Sequence, residues 1–333
     1  MARFLQTACC VVLGFHLARL MNDGHLLVID FGSIPHPNLV GRAREVAGAL
    51  QQELYICCMF DEAELPPALP GRRERVRRVR QKLIERCRRS LHKLLNELRS
   101  AGVRADGEVR ASPSVEEDAL EVVQRMSPSL VLIHRKSHSR FEEMTLTGHD
   151  FSMIRSCPAP VWVVNPKHKR GDKIVGAIEQ PRADGGAADS LDASILEHAA
   201  KLARKLGKEP HALHTFGEAG LPQAVEPAAP DPGDDMGTSR YDRCMGRVFD
   251  MGEAHGLPRE RIHVHEGKLV ETLEEMSEPM NADLIVLGAR RRGLLSRMFS
   301  GSAAERVVQR VRADVLVLKS GGLRAAEEDR PLH

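Results

Sequence analysis

Short apolar runs alternate along the chain with longer stretches in which apolar residues recur every three or four positions. Residues 25–29 and 130–133 are examples of the runs, and residues 38–51 are an example of the longer stretches. The runs are typical of strands buried on both faces of a parallel sheet, and the longer spacing is typical of helices with one apolar face. The alternation therefore predicts an α/β fold in which helices connect parallel strands by right-handed crossovers.

The predicted order of elements occurs twice. In the first half, the pattern predicts strands at residues 25–29, 54–60, 103–111, 130–133 and 161–164, with helices at residues 38–51, 72–99 and 114–126. In the second half, it predicts strands at residues 174–178, 211–216, 261–265, 284–287 and 315–318, with helices at residues 191–206, 239–255 and 269–276. A last helix is predicted to open at Gly301 and Ser302. Two helix starts have the spacing of a capping box, Ser114 with Glu117 and Ser302 with Glu305.

Direct superposition of the two halves tests the repeat. Residues 129–164 lie over residues 283–318 without a gap, which brings His134 over Gly288 and Thr147 over Gly301. Self-similarity of this kind indicates copies of one structural unit. The sequence thus predicts two tandem doubly wound parallel-sheet domains, at residues 23–166 and 173–321, between an N-terminal extension (1–22) and a tail (322–333).

Residues 1–20 resemble a secretory signal in part, because an apolar run at residues 8–15 follows Arg3. The run is short, it ends at His16 and Arg19, and no small-x-small cleavage site precedes Met21. It is also too short to span a bilayer. We interpret residues 1–20 as an upstream extension or a misplaced start; the alternative is a secretory signal.

Charge and cysteine content limit the compartment and the partners. The formal net charge is +2 over 333 residues, which argues against a protein that binds nucleic acid with its whole surface. The seven cysteines are odd in number and show neither a disulfide framework nor the spacing of a metal site. A reducing cytoplasm is the expected compartment.

The predicted helix at residues 72–99 has one apolar face and one face rich in arginine. Clustered cations attract phosphate, so RNA and an acidic membrane are alternative partners for this face. No aromatic residue for base stacking occurs on it. The favoured interpretation is a solvated helix face, with neither nucleic acid nor membrane as a partner.

The clearest candidate chemistry lies in the last strand-loop-helix unit. Gly288, Arg291 and the pair Gly301-Ser302 resemble the G-x-x-G-x9-G-S/T nucleotide loop of the universal stress proteins. The order of strands and helices, the acidic residue after the first strand, and residues 134–166 of the first copy also resemble that family. The resemblance covers most of the chain, and it implies a cytosolic stress-response protein that acts by binding.

The resemblance also implies a site for ATP or another adenine nucleotide in the second copy. Glycine lets a backbone approach phosphate closely, and the N–H groups at Ser302 and Ala303 would face an anion at a helix start. In the ATP-binding members of the family, the triphosphate lies at this loop, and the acidic residue, here Glu179, lies near the adenosine. Arg291 replaces the second glycine of the pattern, so its side chain either contacts phosphate or blocks the loop. The alternative is that Gly288 and Gly301 only permit turns and that Ser302 with Glu305 only caps a helix.

The first copy lacks the two marked glycines, since His134 and Thr147 replace them, and we expect no phosphate site there. Its basic loop around His134 and Arg135 is expected to be solvated, with His149 and Asp150 as a surface pair. No cysteine joins the histidines at metal spacing, so no metal site is expected.

The sequence contains no catalytic motif, neither a nucleophile elbow nor a Walker lysine nor HExxH, and we do not expect an enzyme. The preferred function is a nucleotide-gated binding protein with an unknown protein partner. The alternative is a nucleotide-independent interaction protein in which both sites are degenerate. By resemblance to the family, residues 161–164 and 315–318 are expected to pair the two domains as an internal pseudo-dimer, and a homodimer of the whole chain is left open.

Overall fold

The chain folds into two compact units in a computed structural model that describes residues 24–32, 35–61, 73–135, 148–178, 187–216, 240–289 and 303–319. The first unit contains the described residues up to His168, together with those from Leu316 onward. The second unit contains the described residues between Lys169 and Val315. The predicted extension (1–22) and tail (322–333) lie outside the described residues, and the predicted domain limits stay predictions.

The first unit is built on a parallel sheet with the strand order β3-β2-β1-β4-β5. Its five strands are β1 (His25–Asp30), β2 (Glu53–Asp61), β3 (Ala105–Ser112), β4 (Leu130–His134) and β5 (Val161–Val164). The central strands are buried along nearly their whole length, as expected for a sheet that is covered on both faces. The predicted α/β class is confirmed.

Four helices follow strands among the described residues of the first unit; the first three confirm the predicted helices, and the fourth has no counterpart among them. They are α1 (Pro37–Leu50), α2 (Arg73–Ser100), α3 (Val115–Met126) and α4 (Gly148–Ser156). Helix α1 starts with proline at its first position, and the Nδ1 atom of His36 accepts a hydrogen bond from the Asn38 N–H. The capping box predicted at Ser114 is wrong. The Ser114 side chain makes no cap, and its own N–H donates to the Ser112 hydroxyl at 2.9 Å.

The second unit repeats this design with the parallel strand order β9-β6-β7-β8. Its elements, with the last strand of the chain, are β6 (Lys173–Ile178), α5 (Ala187–Leu206), β7 (Glu209–Phe216), α6 (Arg240–Ala254), β8 (Ile262–Glu266), α7 (Leu269–Ser277), β9 (Ala282–Ala289), α8 (Ala303–Arg310) and β10 (Asp314–Lys319). Strand β10 begins in the second unit, and its residues from Leu316 onward belong to the first.

The amino end of the sheet in the second unit contains a buried ion pair. Asp283 is fully buried; its Oδ2 lies 3.1 Å from the Lys208 ammonium, and its Oδ1 accepts the Gly171 N–H at 3.2 Å. The Lys208 ammonium also donates to the Gly171 carbonyl at 2.7 Å. This cluster ties the start of β6 to β9 and to the loop before β7.

At the superposed position of the first unit, the buried group is neutral. Ser129 lies over Asp283, and its hydroxyl donates to the Gln52 side chain at 2.7 Å and lies 3.2 Å from the His25 carbonyl. Both Ser129 and Gln52 are buried. The same corner of the fold is therefore closed by a neutral hydrogen bond in one unit and by an ion pair in the other.

Candidate functional site

The candidate site lies at the carboxyl end of the second unit's strands, where parallel α/β sheets bind ligands. Gly288 is near the end of β9, and Ala303 is the first residue of α8. The other residues predicted for the site lie outside the described residues: Glu179, Arg291, Gly301 and Ser302. The structure therefore brings two of the six predicted residues onto this end of the second unit.

Gly288 has a packing role that the sequence does not reveal. A Cβ atom on this residue would lie 2.5 Å from Cδ2 and 2.8 Å from Cγ of Leu191, which belongs to α5. Contacts this short do not occur between folded side chains, so a larger residue would force the Leu191 side chain to shift. Glycine at this position lets the helix approach closely, whether or not a ligand binds.

The start of α8, at Ala303, is the other described part of the candidate site. Ala303 is exposed, whereas Ala304, Val307 and Val308 are buried beneath the helix. The first N–H groups of a helix have no partner within it, and together with the helix dipole they favour an anion. Glu305 is also buried in this first turn. The geometry is compatible with an anion at the start of α8.

His214 on β7 is a residue of this region that no sequence pattern marks. It is level with Ile178, the residue before Glu179, and its Nδ1–H donates to the Ile178 carbonyl at 3.3 Å. Burial lowers the pKa of His214, so the ring is neutral and its Nε2 is an acceptor. Among the described residues, nothing donates a hydrogen bond to this buried Nε2 atom. Only its position beside the end of β6 could have drawn attention to it.

In the first unit, the corresponding corner is occupied by side chains of the protein itself. His134 takes the place of Gly288, and its Nδ1 lies 3.6 Å from Oδ2 of the buried Asp30. The same carboxylate oxygen accepts the His36 N–H at 3.3 Å, and the rings of His36 and His134 stack with centroids 5.3 Å apart. This oxygen of Asp30 is therefore engaged by the protein itself. The expected lack of a phosphate site in this copy stays a prediction, because residues 136–147 lie outside the described residues.

The expected surface pair of His149 and Asp150 is wrong. Asp150 is fully buried, whereas His149 is half-buried and its Nδ1 lies 2.9 Å from the Glu116 carboxylate. The other ring nitrogen of His149 lies 3.9 Å from Asp61, and the ring packs against Phe31. Adjacent residues on a helix point in different directions, so a His-Asp dipeptide at a helix start does not form a pair.

Within the part of the chain that the structure describes, no three His, Cys, Asp or Glu side chains are grouped so that they could hold a metal ion. Burial raises the pKa of Cys57 to about 12 and that of Cys157 to about 11, so neither thiol is a ready nucleophile. None of the described helices is both long enough and apolar enough to span a bilayer.

Two parallel α/β units in tandem define a tandem protein of the doubly wound class. The model of the universal stress protein family matches residues 21–165 and 187–319. The chain therefore belongs to the universal stress protein family, and it contains two copies of the family's domain.

Its curated relatives include tandem members of the same family. Universal stress protein E of Escherichia coli (strain K12) is 27% identical over 196 residues, 57% of this chain and 60% of that protein. Universal stress protein E of Photorhabdus laumondii is 26% identical over 210 residues, 60% of this chain and 65% of that protein. The matched regions thus span less than two thirds of these relatives.

A solved structure supports the fold over nearly the whole chain. The universal stress protein from Pseudomonas aeruginosa UCBPP-PA14 matches with a TM-score of 0.69 at 20% identity, covering 90% of this chain and 94% of that one. At this identity the likeness supports the fold alone.

Proposed function

We propose that this universal stress protein binds one adenine nucleotide per chain, in the second unit only, and acts by binding rather than by catalysis. The observation that carries the proposal is a difference between the two units at the carboxyl end of the sheet. In the first unit, the His134 side chain occupies this corner and contacts Asp30, whereas the superposed residue in the second unit is Gly288. Gly288 brings no side chain of its own to the end of β9, and Leu191 of α5 packs against the place where a Cβ would be. In this proposal Glu179 lies near the adenosine, as the family resemblance implies.

The start of α8 supports the phosphate part of the proposal. Ala303, the exposed first residue of α8, offers a backbone donor, and Ser302 and Gly301 immediately precede it. In this proposal, the Arg291 side chain contacts phosphate and takes over the charge compensation that a glycine could not supply.

His214 supports the choice of adenine. The buried Nε2 of the neutral imidazole needs a hydrogen-bond donor, and the exocyclic amine of adenine is such a donor. A base with a carbonyl in that position would face acceptor to acceptor. We therefore expect ATP to bind more tightly than ITP, which differs from ATP at this group.

Titration calorimetry tests the nucleotide site. ATP should give saturable heat with the whole protein and none with Gly301→Trp, because the indole would occupy the space of the phosphates. ITP should bind more weakly than ATP, and His214→Leu should reduce the difference between the affinities for the two nucleotides. Equal, undetectable heats for the whole protein and for Gly301→Trp would eliminate the nucleotide site.

A nucleotide-independent interaction protein is the second candidate function. The contact between Gly288 and Leu191 favours it, since packing alone explains why this residue is glycine. A protein partner captured equally well with and without ATP, and equally by wild type and Gly301→Trp, would support this candidate.

We further infer that the two domains form an internal pseudo-dimer and that the protein is cytoplasmic. The two family regions in one chain support the internal pair. Introducing a protease site into residues 167–170 tests the pair. The cleaved halves should elute together, and separate elution would contradict the internal pair.

A further inference from the structure

Helix α2 has a continuous row of cations on one face. Arg78, Lys82, Arg86, Arg89 and Lys93 follow one another at intervals of three or four positions, the spacing that places helical side chains on one face. At 1.5 Å per residue, this row is about 22 Å long. We call these five residues the basic stripe.

The basic stripe faces away from the sheet. The opposite face of α2 is buried through Cys87, Leu91, Leu95 and Leu98, and all five cations of the stripe are exposed. The stripe is thus fixed in position by the packing of the helix on the sheet.

Few of these charges are neutralised by neighbouring carboxylates. Arg78 lies 2.9 Å from Glu74 and Lys93 lies 3.9 Å from Glu97, and both pairs are exposed, so they are weak. Within the described parts of the chain, no carboxylate forms an ion pair with Lys82, Arg86 or Arg89. Three of the five stripe cations therefore have no ion-pair partner among the described residues, and Glu85, three residues after Lys82 and four before Arg89, is a carboxylate that helical spacing places beside them.

A shallow depression adjoins the C-terminal half of the stripe. Its volume is about 990 Å³, and Arg88, Arg89, His92, Lys93 and Asn96 line most of it. These side chains supply cationic and neutral donors, and Glu97, Ser100 and Ala101 complete the lining. Such a surface suits an extended anion with many oxygens rather than a single small ion.

The composition of α2 discriminates between polyanions. A helix that binds a membrane surface needs a free apolar face, but Cys87, Leu91, Leu95 and Leu98 of α2 are buried, and among the side chains that the structure describes Val79 is the one large apolar group of this helix that is exposed. Single-stranded nucleic acid is held largely by aromatic stacking, and α2 contains no Phe, Tyr or Trp. A duplex presents regularly spaced phosphates and needs neither feature.

We propose that the basic stripe binds the phosphate backbone of double-stranded nucleic acid without reading its sequence. This inference departs from the expectation of a merely solvated face, and it does not depend on the nucleotide site of the second unit. Binding should be strongly salt-dependent, because each phosphate that the stripe neutralises releases counterions.

Fluorescence anisotropy of a short labelled duplex, titrated with the whole protein at several salt concentrations, tests the proposal. Replacing all five stripe residues by glutamine should weaken binding more than tenfold. It should also flatten the salt dependence by about 0.9 in the log–log slope for each phosphate that the variant no longer neutralises. The matched control replaces Arg104, Arg125, Arg259, Arg310 and Arg312 by glutamine. It removes the same net charge from other partly or fully exposed positions, and it should retain most of the affinity.

Three outcomes would overturn the proposal. The first is no binding of the duplex by wild type at low salt, and the second is an equal reduction of affinity in the two variants. The third is tighter binding to anionic vesicles or to the single strand than to the duplex at the same phosphate concentration. Circular dichroism of the stripe variant should match wild type, since glutamine is a good helix former. If that variant fails to fold, the single variants Lys82→Gln and Arg86→Gln should each lower the salt slope.

Discussion

The two units carry different side chains at both ends of their parallel strands. At the amino end, Asp283 and Lys208 of the second unit form a buried ion pair where the first unit has Ser129 and Gln52. At the carboxyl end, Gly288 of the second unit lies where the first has His134. The fold is compatible with either chemistry at either end, so shared architecture does not imply a shared site.

The comparison also shows what a degenerate site looks like in physical terms. The first unit does not merely lack glycine; it fills the corner with a carboxylate and two stacked imidazole rings. The second unit brings α5 close to the glycine and leaves the start of α8 exposed. Each difference can be tested by exchanging residues between the units.

The largest effect is expected from breaking the buried ion pair. Asp283→Asn would leave the Lys208 ammonium, whose side chain is only 11% exposed, without its counter-charge. Removing one partner of a buried pair costs about 3 kcal/mol or more, and we expect that loss of unfolding free energy in the second unit. Hydrogen exchange of the β6 and β9 amides measures it.

The first unit supplies the control for this prediction. Ser129→Ala removes only a neutral hydrogen bond and should cost about 1 kcal/mol. The double change Asp283→Ser with Lys208→Gln copies the first unit's pair and should recover part of the loss. If Asp283→Asn costs no more than Ser129→Ala, the ion pair does not stabilise the second unit as described.

The next effect concerns the contact between Gly288 and α5. Gly288→Ala places a methyl group against Leu191, and overpacking of this kind costs about 1–3 kcal/mol. Adding Leu191→Ala should relieve part of that cost, which urea denaturation of the second unit would report. Gly48→Ala, with no heavy atom within 4 Å of the new Cβ, is the control and should not destabilise the protein. If Gly288→Ala lowers the free energy of unfolding equally with and without Leu191→Ala, the contact with Leu191 is not the cause.

The smallest effect is a pH dependence specific to the second unit. Burial lowers the pKa of His198, His214 and His263 from the ordinary value of 6.5, so the folded unit takes up protons less readily than the unfolded chain. The contribution of these histidines to the free energy of unfolding is fully present above pH 6.5. It is lost as the pH falls toward their lowered pKa values in the folded state. Each group contributes at most about 1.4 kcal/mol per pH unit. His214→Asn should reduce the loss of thermal stability between pH 6.5 and pH 5.5, and an unchanged pH profile would exclude His214 as a contributor.

Local patterns sufficed to predict the elements, because buried runs and helical spacing depend on neighbouring residues. The repeat was visible for the same reason, since residues 129–164 and 283–318 share their spacing. The contacts that differentiate the units join residues far apart in sequence, such as Asp30 with His134 and Leu191 with Gly288. No period in the sequence indicates such pairs.

The errors have equally local causes. The capping box at Ser114 failed because the nearby Ser112 hydroxyl accepts the Ser114 N–H. The dipeptide His149-Asp150 suggested a pair, but the helix directs one side chain to Glu116 and buries the other. Of the candidate site, Gly288 could be located from the glycine pattern that resembles the family's nucleotide loop. The role of His214 could not, because it depends on the register between β6 and β7.

The difference between the two units as nucleotide sites is tested most directly by the stoichiometry of ATP binding in three proteins: wild type, Gly301→Trp and Thr147→Trp. The last two place the same indole at superposed positions of the two repeats. We predict one ATP per wild-type chain, none with Gly301→Trp, and one with Thr147→Trp. Two ATP per chain, or loss of binding in both variants alike, would contradict a nucleotide site confined to the second unit.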